Sequence, residues 1–151
     1  MPVQALALTV GALFAGALIS LQAPINAEAA ARVGHPLAGA ALSFVVGTIG
    51  LLLLVAIFAR DDLELGAIKT MPLYMLLGGG LLGAMYVTTN LMLAPRIGIA
   101  ALMALGIAGQ LIAALLLDRF GAFGLIEREL SLGRVSGACL VLIGALMVRL
   151  L

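Results

Sequence analysis

Charge is what this chain has least of. Only 10% of its 151 residues are Asp, Glu, Lys or Arg, whereas a soluble domain carries about a quarter. The acids are Glu28, Asp61, Asp62, Glu64, Asp118, Glu127 and Glu129, and the bases are Arg32, Arg60, Lys69, Arg96, Arg119, Arg128, Arg134 and Arg149. A net charge of +1 leaves no basic footprint for a nucleic acid. The one cysteine, Cys139, stands inside an apolar run, so no disulfide or thiolate metal framework can form and it reads as a small packing residue. No nucleophile–base pair, metal-ligand set or phosphate loop is visible. The sequence therefore offers no support for an enzyme, a bound metal or a cofactor.

Apolar residues fill the space that charge leaves. They make up 64% of the chain, and the mean hydropathy is +1.28. No soluble core of this length could hide so much apolar surface. A bilayer removes the need to hide it, because its interior is itself an apolar solvent. Every backbone polar group must then be satisfied inside the element, which leaves helices as the plausible spanning form. The chain is thus expected to be an all-α integral membrane protein with the lipid bilayer as its first partner.

A helical span needs about 20 apolar residues. Five stretches meet or approach this, giving expected helices at roughly 3–33, 36–59, 71–94, 97–117 and 132–150 in one transmembrane domain over 1–151. The first reads as a retained helix, since it lacks the basic flank of a signal peptide. The fifth has its apolar part only between Val135 and Val148, short for a span, with Arg134 and Arg149 placed to snorkel to the headgroups. Five spans put the termini on opposite sides. The links holding Arg60, Lys69, Arg119, Arg128 and Arg134 face one side, and Arg32, Arg96 and Arg149 the other. That balance favours the amino terminus inside only weakly. A single orientation and insertion in both orientations are equally open on charge alone.

Two kinds of residue inside the spans carry further information. The chain has 19 glycines, concentrated in the spans, and helices in lipid associate by close backbone approach at small residues. Gly39, Ser43, Gly47 and Gly50 form such a stripe in the second span, and Gly78, Gly79, Gly80 and Gly83 thin the third. Gly137 and Gly144 lie on one face of the fifth, which suits bundle packing and also a dimer face. The polar residues of interest are Gln22, Asn26, Ser43, Thr48, Tyr74, Tyr86, Thr88, Thr89, Asn90 and Gln110. Amides in lipid are costly without partners, so they should point into the bundle or a wet cavity. Gln22 and Asn26 share a helical face, and Pro24 between them should kink or loosen the helix. This suits a binding site, and equally interhelical hydrogen bonding without a ligand. Glu28 is either an intramembrane acid or an interfacial one paired with Arg32, four residues on; its turn away from Asn26 favours the second. His35, before Pro36, reads as a turn residue, and Asp118, Arg119 and Glu127–Glu129 as solvated loop charges.

Several blocks, in order, resemble a known family: Gln22-Ala-Pro-Ile-Asn26, Gly34-His35-Pro36 through Ser43-Phe44 to Gly47-Thr48, Gly80 to Tyr86, Pro95-Arg96-Ile-Gly98, Gly109-Gln110, Leu117-Asp118-Arg119-Phe120-Gly121, and Leu132-Gly133-Arg134 through Gly137, Leu140 and Gly144. They are similar to the YdcZ-like family of the drug/metabolite transporter superfamily, over nearly the whole chain. Glu28 departs from the family pattern, so no proton–cation antiport is carried over. The resemblance implies a five-helix bundle of that superfamily in the bacterial cytoplasmic (inner) membrane, and transport of a small-molecule substrate. It also implies that a lone five-helix chain pairs with an oppositely oriented copy or paralogue, restoring the inverted repeat of the two-half members. The near-balanced link charges fit such an antiparallel dimer. On this reading Gln22, Asn26, Ser43, Tyr86, Asn90 and Gln110 line the substrate site, and Gly137, Leu140 and Gly144 form the dimer interface. The contrasting reading is a structural or regulatory membrane subunit that transports nothing.

Overall fold

The computed structural model describes residues 3–151. Five long helices follow one another: α1 (Val3–Val33), α2 (Pro36–Phe58), α3 (Leu73–Ile97), α4 (Ile99–Phe120) and α5 (Leu132–Leu150). All five are long and apolar enough to cross a membrane. At about 1.5 Å per residue, the 31 residues of α1 exceed the roughly 30 Å hydrocarbon core. The 19 residues of α5 nearly match it, because Arg134 and Arg149 lie within the helix instead of bounding it. The apolar side chains are mostly uncovered: Leu13 is 70% exposed and Phe58 77%, as lipid-facing positions should be.

Local chemistry explains the helix ends. Gly34 takes φ +81 after α1, a conformation that suits glycine. His35 is then the N-cap of α2, its Nδ1 accepting a hydrogen bond from the Leu37 amide at 3.2 Å, with Pro36 in the first turn where its missing N–H costs nothing. Helix α1 runs unbroken through Pro24, so the expected loosening does not become a break. Helix α3 continues through Pro95 to Ile97, beyond its expected end at Ala94, and stops at Gly98 with φ +80. The Arg60–Thr70 link forms two short 3-10 turns, Arg60–Asp62 and Leu65–Thr70.

The chain divides into two units, one ending at Pro95 and one beginning at Arg96. In the first, α1 and α2 form a close hairpin. A methyl group at Gly39 would sit 2.5 Å from Cβ of Ala30 and 2.7 Å from its Cα, so only glycine permits this approach. Ala30, Ala40 and Leu91 make a small core, with Ala27 and Val87 against it. These positions lie where α1 ends, α2 begins and α3 ends. The first unit is therefore closed at that end. Towards the other end, residues 6–19 of α1, 44–54 of α2 and 73–77 of α3 are all exposed.

In the second unit α4 packs on α5. Ala108 and Ala145 are each 2% exposed, with Ala138 one heptad before Ala145 also buried. The connection between the helices is folded. Gly121 closes α4 in the left-handed conformation, Ser131 caps α5 by accepting from the Arg134 amide, and the Arg128 amide donates to the Asp118 carbonyl at 2.8 Å. Arg134 Nη2 pairs with Asp118 Oδ2, both side chains about two-thirds covered, at 32% and 29% exposed. Asp118 is thus a tether and not a solvated loop charge.

Candidate functional site: a polar cleft in the first unit

The cleft begins with two pairs at helical spacing. Gln22 and Asn26 project from one face of α1, and Tyr86 and Asn90 from one face of α3. The structure brings these pairs together around a hollow of about 20 Å³, completed by Ile19, Ala23, Val87 and Leu91. That is room for about one water molecule. Leu91 belongs both to this wall and to the small core, so the hollow sits directly beside the closed end.

Gln22 also borders a second, more open hollow of about 210 Å³, with Ser43, Phe44, Gly47, Thr48, Leu51 and Val87. Its α2 wall is a single helical face, since these residues recur at one and four positions. The Phe44 ring lies over α3 because Gly83 leaves it space; a methyl there would be 3.2 Å from the ring. Neither hollow has an Asp, Glu, Lys or Arg in its wall.

Four of the polar side chains are poised and not spent. The side chains of Gln22, Asn26, Ser43 and Asn90 form no hydrogen bond with the described residues. Asn26, Ser43 and Asn90 are half-buried, and among the described residues no polar side chain is fully buried. Amides acting as interhelical glue would be paired with each other or with backbone; these amides are not. Glu28 is otherwise engaged, accepting from Arg32 Nε at 2.8 Å on an exposed face, as its spacing suggested.

The remaining expected residues belong to the second unit. Gln110 lies exposed on α4 in the second unit. On α5, Leu140 is 69% exposed and a methyl at Gly137 or Gly144 would meet nothing within 4 Å, while Ala138 and Ala145 are buried. The two sets lie about 120° apart around the helix. Phe44 and Leu51 were outside the expected site; their position on the Ser43–Thr48 face was the available signal. No group of three His, Cys, Asp or Glu side chains able to hold a metal occurs among the described residues.

Apolar helices of spanning length around an uncharged polar cleft define a multi-pass α-helical membrane protein of the transporter type. The profile of the DMT_YdcZ family, described as "Putative inner membrane exporter, YdcZ", matches residues 7–147, and the chain belongs to that family. It is accordingly a multi-pass protein of the bacterial inner membrane. Neither a curated protein nor a solved structure shows significant similarity to it.

Proposed function

We propose that the chain is a secondary transporter that moves a small solute without fixed charge by alternating access, as a dimer of oppositely inserted protomers. Gln22, Asn26, Ser43, Tyr86 and Asn90 bind the solute. The observation that carries this reading is the convergence of three amides, none spent on a protein partner, beside a closed helix end. Such groups are retained in a membrane when they serve water or a passing solute. Substrate sites of many transporters likewise lie between helices within the membrane. The dimer forms through Gly137, Leu140 and Gly144, a face that α4 leaves uncovered, with an identical copy or a paralogue as partner.

Two measurements test this. Proteoliposomes should take up members of a panel of radiolabelled neutral solutes saturably, and Asn26→Leu should abolish uptake without lowering the melting temperature. Loss of stability in place of uptake would favour a packing role for Asn26. Single cysteines at Asp62 and Arg96, in a Cys139→Ala background, should each label with an impermeant reagent from both faces of the membrane. Labelling from one face only would rule out the dual-orientation homodimer.

A further inference from the structure

The larger hollow has two unlike walls. Gln22, Ser43 and Thr48 supply an amide and two hydroxyls, while Phe44, Leu51 and Val87 supply an aromatic face and two branched aliphatic side chains. Gln22 and Val87 are shared with the smaller hollow, where Asn26, Tyr86 and Asn90 are the other polar side chains. From these walls we infer the substrate class: an uncharged amphiphile of about one ring, its amide- or hydroxyl-like head against Gln22, Ser43 and Thr48 and its apolar body on Phe44, Leu51 and Val87. The inference rests on the cleft being the transport site proposed above.

Three physical arguments lead there. The first is charge. A fixed charge entering the cleft would be stripped of water with no counter-charge in either wall, and dipoles of neutral amides do not repay that loss. A neutral hydrogen-bonding head exchanges water for equivalent partners, because an amide both donates and accepts. The second is size. About 210 Å³ falls below the range of roughly 300–1,000 Å³ typical of drug-sized sites. The third is the apolar wall. A purely polar solute such as a small polyol would leave the Phe44 ring and Leu51 facing it without gain, whereas a ring can stack on Phe44. The smaller hollow then has a distinct part: at about 20 Å³ it takes a water that Asn26 and Asn90 hold against the far side of the Gln22 amide.

The chain contains no Trp, so Leu51→Trp places a single tryptophan, excited apart from the two tyrosines, in the wall of the hollow. Purified protein would be titrated with neutral benzamide, anionic benzoate and cationic benzamidinium, which share a shape, and with acetamide, which keeps the head and lacks the ring. Leu132→Trp, at an exposed position on α5, controls for partition into the surrounding detergent. Saturable quenching by benzamide is expected, with the two ions and acetamide at least tenfold weaker. Gln22→Leu and Phe44→Ala should each weaken benzamide binding about three- to tenfold, and Phe44→Tyr should retain it; melting temperatures identify any variant that fails to fold. Equal binding of either ion or of acetamide would overturn the inference. So would a benzamide response unaffected by both Gln22→Leu and Phe44→Ala, or no response to any of the four. Equilibrium quenching is independent of transport. Selective binding without flux in proteoliposomes would remove the transport reading and keep the pocket's, while saturable flux of neutral solutes with no preference for a ring would do the reverse.

Discussion

Replacing Gly39 by alanine adds one methyl group at the tightest contact between α1 and α2. Two effects oppose each other. Alanine is the better helix former by about 1 kcal/mol in an aqueous helix interior. Against this, the added carbon would lie 2.5 Å from Ala30 Cβ, 2.7 Å from its Cα and 3.0 Å from its nitrogen. Two of those three atoms are backbone, so no rotamer change relieves the clash and the helices must separate. Overpacking of this kind costs about 1–3 kcal/mol, so the net change is destabilising. Net of alanine's helix preference the loss is up to about 2 kcal/mol, so for a chain of this length the melting temperature should fall by up to about 8 °C in a fixed detergent, on the scale known for soluble domains. Gly47→Ala and Gly50→Ala, on the same helix with open space around the new methyl, are the controls and should be neutral or slightly stabilising. Ala30→Gly combined with Gly39→Ala should restore only part of the loss, because the Ala30 Cα and nitrogen remain in the way. A melting temperature for Gly39→Ala equal to that of Gly47→Ala would refute the close-packed hairpin.

The polar tethers give further contrasts. Asp118→Asn leaves Arg134 one-third exposed beside a neutral amide, and thermal unfolding should show a loss of about 1–2 kcal/mol, between the values for surface and buried pairs. Glu28→Gln breaks an exposed pair and should change stability by no more than about 0.5 kcal/mol in the same assay. His35→Ala removes the cap of α2; a loss of about 0.5–1 kcal/mol is expected, and no loss would mean that water caps the helix equally well.

The spans were legible because lipid imposes a one-dimensional rule, length and apolarity, that needs no tertiary information. The pairing of Gln22 with Asn26, and of Tyr86 with Asn90, was legible in the same way, since positions four apart share a helical face. That these two pairs meet depends on how α1 and α3 approach, which no local pattern encodes. The same limit hid Phe44: its role depends on the missing side chain at Gly83, 39 positions away in the chain. Asp118 was read as a loop charge and Arg134 as a snorkelling helix end because the fold of the 121–131 connection, with its left-handed turn at Gly121, is what brings them together. Pro24 misled in the other direction. A proline removes one backbone bond from a helix, and the 31-residue α1 continues across that loss.

The closed end of the first unit is built largely from Ala27, Ala30, Gly39 and Ala40, with Leu91 and Val87 the larger side chains. Alanine and glycine have no rotamers to freeze, so parting them releases almost no side-chain entropy and bringing them back costs almost none. They also present nearly smooth surfaces, without the ridges that lock larger side chains into one crossing geometry. Such a seam suits a bearing more than a latch: rolling of α1 against α2 would repack few side chains, Leu91 and Val87 being the larger ones that oppose it.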